Sequence, residues 1–121
     1  MRFILASRSP ARRATLESAG VRPTVIVSEG DEDAVLDALP GGRAFSSGRT
    51  TPADEVMALA RAKQEAVTRI LCEEGSSFQE APSEALVVVG CDSMLELDGR
   101  MLGKPHTPDV ARARIREMRG R

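Results

Sequence analysis

Leu86-Val87-Val88-Val89-Gly90, followed by Cys91-Asp92, is the strongest strand signal in this chain. An apolar run with no polar alternation is the pattern of a strand covered on both faces, as in parallel sheets packed between helices. Working outward, the stretch 73–85 is polar and predicts a surface connection. Before it, Thr51 followed by Pro52 opens a helix expected to run to about Cys72. After it, Ser93 to Leu102 predicts a hairpin whose two-residue turn is Asp98-Gly99. Thr107-Pro108-Asp109 then caps a last helix patterned on Ala111, Ile115 and Met118. Toward the N-terminus, Arg2 to Ala6 is a short strand and Ser9-Pro10 starts a helix closed by Gly20. Pro23 to Val27 is a second strand, and residues 28–49 carry loop chemistry. Strands alternating with helices predict an α/β domain, a single one over residues 1–121.

Bulk properties narrow the function classes. The 121 residues carry 17 Lys plus Arg against 18 Asp plus Glu, a net charge of -1 with a pI near 5.9. A general electrostatic nucleic-acid binder normally shows a basic surplus, so no specific nucleic acid is expected and any basic site is local. Phe3 to Ala6 is too short for a signal-peptide core, and no stretch reaches the roughly 18 apolar residues a membrane span needs. A cytoplasmic protein without a membrane partner is expected. Cys72, Cys91 and the lone His106 lack metal-ligand spacing, so the cysteines are expected to be small buried hydrophobes.

Three places carry unusual chemistry. Ser7, Arg8, Ser9, Arg12 and Arg13 crowd one strand-to-helix junction. Cations in a first helical turn oppose its dipole by about 0.3 to 1 kcal/mol each, and a bound anion reverses that sign. The bland alternative is arginines pointing into water. In the second helix Val56, Leu59, Ala60, Val67 and Ile70 form an inward stripe, and Lys63 falls on it. It either snorkels to the edge or pairs with an acid or phosphate. Asp92 follows the end of the best strand, where open α/β sheets gather ligands, although an aspartate there also commonly caps a turn. Lys104 follows the hairpin, so a second cation is expected to approach the same place. Basic groups and carboxylates together form the kit for metal-assisted attack on a polyphosphate.

The blocks "LASRSPARRATL", "VSEGDED" with Glu32, "LARAKQEAV", "VVVGCDSMLELDGRMLGKP" and "ARARIREMRGR" resemble, in order and spacing, the signature blocks of the Maf nucleoside triphosphate pyrophosphatases. The resemblance implies a mixed, elongated central sheet flanked by helices, similar to inosine triphosphatase. It implies cleavage between the α and β phosphates with a divalent metal (Mg or Mn), clearance of non-canonical nucleotides, a link to septum formation, and a homodimer. By position Asp92 matches the catalytic aspartate and Glu32 its acidic partner, both also metal ligands. Lys63 and Lys104 match the motif lysines, and Ser7, Ser9 and Arg12, with Arg13 and Ser93, the substrate-binding positions. Ala11 stands where pyrimidine-preferring members carry the first arginine of Ser-Pro-Arg-Arg, and Ser93 where they carry threonine. Members acting on methylated guanosine triphosphate carry a tryptophan that "SPARR" lacks. Family members also continue past the last helix into further strands and a Thr-Gly block, so the resemblance implies a C-terminal truncation.

Three functional classes follow: a pyrophosphatase; a catalytically impaired homologue that binds nucleotide or a division partner; and a basic-helix nucleic-acid binder built on Arg8, Arg12 and Arg13. The third is disfavoured by the acidic pI and the absence of Trp and Tyr.

Overall fold

The computed structural model describes residues 1–46, 48–73 and 85–121. The elements in chain order are β1 (Arg2–Ala6), α1 (Pro10–Ser18), β2 (Thr24–Val25), α2 (Glu32–Asp37), α3 (Pro52–Cys72), β3 (Leu86–Gly90), β4 (Leu95–Leu97), β5 (Arg100–Leu102) and α4 (Pro108–Met118). The expected surface connection over 73–85 lies, but for its two end residues, outside the described residues.

The α/β class is as expected. β2, β1 and β3 form a parallel sheet in that order, β1 in the middle, with Ile4 opposite both Thr24 and Val88. Strand periodicity puts Ile4 and Ala6 on one face, where they are buried with Val67 and Leu71 of α3, and Ile26 and Val88 pack against them. Leu5 points to the opposite face and is also buried. Continuous apolarity thus succeeds for β1. For β3 the expectation of burial on both faces is corrected: among the described residues it is paired on one side, by β1, Leu86 is exposed and its other residues are half-buried. The second strand is also shorter than expected, although Ile26 extends the pairing by donating to the Leu5 carbonyl at 3.1 Å.

The helices start where local chemistry places them. Ser9, Thr51 and Thr107 each accept a backbone N–H of the first turn, and each is followed by proline. Thr51 and Asp54 form a reciprocal capping box. α2 was not expected, since residues 28–49 carried loop signals. Asp31 caps it, Glu32 and Asp33 suit its positive end, and Leu36 is buried. The inward stripe of α3 is corrected at three positions: Ile70 is exposed, whereas Glu55 and Leu71 are buried. Ile115 is likewise 59% exposed, while Ala111 and Met118 of the same expected pattern are half-buried, and polar contacts join α4 and its flank to the hairpin region. Arg100 pairs with Glu117, Arg121 with Asp98, and Arg114 donates to the Gly103 carbonyl at 2.5 Å.

The hairpin is as expected. Leu97 pairs with Arg100 across Asp98 and Gly99, both at positive φ (48° and 75°), the conformation of a type I′ turn. Gly90 is required for another reason. A Cβ there would lie 2.1 Å from the Ala60 carbonyl oxygen and 2.9 Å from Gln64 Cβ. β3 therefore ends in direct backbone contact with α3, which places Asp92 beside that helix.

Candidate active site

Three elements far apart in sequence deliver one charged cluster. Lys63 projects from the middle of α3, Asp92 sits just past β3, and Glu32 begins α2. Lys63 Nζ donates to Asp92 Oδ1 at 2.5 Å and reaches Glu32 Oε1 at 2.9 Å. The Asp92 side chain is 10% exposed, Lys63 27% and Glu32 58%, so the cluster runs from a sheltered acid to an open one. Partial burial alone would lower the Lys63 pKa. Hydrogen bonds and charge from Asp92 and Glu32 outweigh that and hold it above the ordinary lysine value. Of the two sequence alternatives for Lys63, pairing with acids is the one observed.

A second network braces the same loop. Arg12, in the first turn of α1, donates from Nη1 to Ser7 Oγ at 3.0 Å and to the Cys91 carbonyl at 2.9 Å, and from Nη2 to Ser93 Oγ at 2.9 Å. Ser7 is buried, and its hydroxyl also accepts the Ser9 N–H at 3.2 Å. Arg12 thus ties the β1–α1 junction to the two residues flanking Asp92. The excess of cations at that junction is in part a structural strap across the carboxyl ends of two parallel strands.

Other expected members lie elsewhere. Arg13 turns along its own helix to Glu17, Nε to Oε1 2.7 Å, and so is not brought to the cluster. Arg8 is exposed and pairs with Glu29 at 3.7 Å. Ser9 is engaged as the α1 cap. Lys104 is exposed, with no partner joining it to the cluster among the described residues. Neither cysteine is a fully buried hydrophobe, Cys72 being exposed and Cys91 half-buried.

A cleft of about 800 Å³ opens from Glu32 toward the hairpin, with Arg43, Phe45, Glu55 and Met94 among its walls. Sequence reasoning passed over Arg43, Phe45 and Glu55. Glu55 is 3% exposed and accepts the Ala44 N–H at 2.5 Å, while Arg43 bonds Asp33 at 2.9 Å and Asp37 at 2.7 Å. Those bonds hold Arg43 above and Asp37 below their ordinary pKa values. The available signal was Glu55 one turn ahead of Leu59 on the inward stripe.

Among the described residues no group of three or more His, Cys, Asp or Glu side chains could hold a metal ion. The Glu32 and Asp92 carboxylates do converge on one cation, the Lys63 ammonium. Two oxygen-donor acids suit a magnesium-type ion, which commonly takes one or two carboxylates and completes its shell with water and substrate phosphates.

Fold and cluster define an α/β domain whose charged side chains meet outside the carboxyl ends of parallel strands, the ligand-binding position of such sheets. The family model for Maf-like protein matches residues 2–121, and the chain belongs to that family. It is similar to a nucleoside triphosphate pyrophosphatase of Nocardia farcinica (strain IFM 10152), 52% identical over 119 residues covering 98% of this chain and 49% of the relative. The corresponding protein of Rhodococcus jostii (strain RHA1) is 51% identical over 119 residues, with the same coverage. That of Corynebacterium diphtheriae (strain ATCC 700971 / NCTC 13129 / Biotype gravis) is 44% identical over 121 residues, covering 100% of this chain and 51% of the relative. The chain thus spans about half the length of the curated relatives it matches. Among the described residues no helix is long and apolar enough to cross a membrane.

Proposed function

We propose that this chain, as one domain, carries the catalytic acids and the phosphate grip of a nucleoside triphosphate pyrophosphatase. The observation that carries the reading is Lys63 bridging Glu32 and Asp92 at the carboxyl end of the parallel sheet. The name of the relatives, nucleoside triphosphate pyrophosphatase, supports this reading, and the reaction proposed is hydrolysis of a nucleoside triphosphate to the monophosphate and pyrophosphate.

Asp92 is the base. Held by Lys63 and braced through its neighbours by Arg12, it takes a proton from the water whose oxygen attacks the α-phosphorus. The bond from that phosphorus to the α–β bridging oxygen breaks, and pyrophosphate leaves. Glu32 orients the water from the open side of the cluster. Lys63, with the Arg12 N–H groups not committed to protein acceptors and the Ser7 and Ser93 hydroxyls, offsets the charge that grows on the phosphate oxygens. Arg13, paired with Glu17, is left out of this assignment. Asp92 and Glu32 would hold a magnesium or manganese ion, which when bound supplies charge neutralisation of the polyphosphate. The exposed Leu86 and the partly buried residues after it in β3 support the expected homodimer.

The test is pyrophosphate release from a nucleotide panel with magnesium or manganese, repeated with Asp92→Asn. Loss of at least about 100-fold is expected, in keeping with removal of a positioned base; equal release by both proteins would refute the role of Asp92. A second reading, a nucleotide-binding homologue that lacks turnover and engages a division partner, is favoured by one observation. The strand that precedes Asp92 has Leu86 exposed and its other residues half-buried. Nucleotide binding without pyrophosphate release would select it.

A further inference from the structure

Phe45 is held in a conformation that its chemistry disfavours, at φ 63°. A bulky side chain in the left-handed region is a genuine outlier and persists only where the surroundings over-determine it. Here they do. Glu55, buried at the start of α3, takes the Ala44 N–H at 2.5 Å. Arg43 is clamped to Asp33 and Asp37 of α2. The Arg43 carbonyl accepts both the Ser46 N–H at 3.1 Å and the Ser46 hydroxyl.

Phe45 is nonetheless 50% exposed. Its ring borders the hairpin turn, since a Cβ at Gly99 would lie 3.8 Å from Phe45 Cδ1. The same cleft, about 800 Å³, has Met94 on its wall and Glu32 at its margin, and Glu32 belongs to the Lys63 cluster. That volume lies within the usual range for small-molecule sites. A strained, half-exposed aromatic thus stands in a cleft that shares Glu32 with the Lys63 cluster.

We propose that Phe45 is a stacking platform for the nucleobase of a nucleoside triphosphate whose phosphates lie at Lys63, and that Glu55 and Arg43 are the residues that position it. The inference rests on the nucleotide reading of that cluster. A phenyl face accepts any base, so Phe45 contributes affinity while leaving base choice to the polar groups around it.

Calorimetric titration of the chain with the four ribonucleoside triphosphates and with inorganic tripolyphosphate tests it. Phe45→Asn should hold or raise the thermal midpoint, because asparagine tolerates positive φ. It should weaken nucleotide binding roughly 10- to 100-fold, the loss expected for one base–aromatic stack, and leave tripolyphosphate binding unchanged. Phe45→Trp should retain nucleotide affinity. Because the chain has no other Trp and no Tyr, its fluorescence should be quenched by nucleotide and not by tripolyphosphate. Unchanged nucleotide binding by Phe45→Asn overturns the platform and leaves the nucleotide reading standing. Equal losses for nucleotide and tripolyphosphate would also overturn it, making Phe45 a scaffold. Wild-type chain that binds neither ligand overturns both.

Discussion

Lys63→Met removes the ammonium from the cluster and keeps the length of the stem. The arm to Glu32 is more than half open to solvent, 58% exposed on the acid side, and exposed ion pairs contribute less than about 1 kcal/mol. The arm to Asp92 is sheltered, at 27% and 10% exposure, and a hydrogen bond to a charged group in such a place contributes about 1.5 to 3 kcal/mol. The variant should therefore be destabilised by about 2 to 3 kcal/mol, a large part of the stability of a small domain. With a urea dependence near 1.5 kcal/mol per molar, the unfolding midpoint at pH 7 should fall by about 1 to 2 M. The pH dependence separates charge from packing. Lys63 is held above its ordinary value of 10.5, so its contribution is complete below that pH and is lost as pH rises through the folded-state value. The difference between wild type and variant should be constant between pH 7 and 9 and smaller at pH 11. An unchanged midpoint at pH 7, or an equal difference at pH 7 and 11, would refute the reasoning.

Gly90→Ala forces a methyl toward the Ala60 carbonyl, an overpacking that should cost about 1 to 3 kcal/mol and lower Tm by about 5 to 10 °C in calorimetry; an unchanged Tm would mean β3 and α3 are not in backbone contact. Arg12→Lys keeps the charge but loses the planar fork that reaches Ser7, Cys91 and Ser93 together. The backbone amides of residues 91–93 should then exchange hydrogen about tenfold faster by NMR, as loss of about 1.4 kcal/mol of bracing implies, with far-UV circular dichroism unchanged. Equal exchange rates would show that Arg12 does not brace the Asp92 loop.

Much of the fold was legible because its signals are local. The Ser9-Pro10, Thr51-Pro52 and Thr107-Pro108 caps each satisfy the N–H groups of their own first turn. Asp98-Gly99 adopts positive φ wherever the hairpin lies. α2 escaped notice because its six residues follow glycine and precede Pro-Gly-Gly, although Asp31 and the acids behind it are a helix start. The site was legible residue by residue, through Lys63 on an apolar stripe and Asp92 after a strand.

The sequence by itself determined the starts of α1, α3 and α4, the hairpin turn, the α/β alternation and the family, since these rest on short-range backbone chemistry and ordered blocks of residues. Tertiary structure alone decided which charges meet. Lys63 and Asp92 are 29 residues apart and touch because glycine at position 90 lets β3 end against α3. Arg12 and Arg13 are adjacent in the chain, yet successive helical positions differ by about 100° in direction. One arginine reaches across to the Asp92 loop and the other lies back along its own helix. Burial of β3 was also a tertiary matter: apolar residues make a strand, and its neighbours determine whether it lies inside a sheet or at its edge.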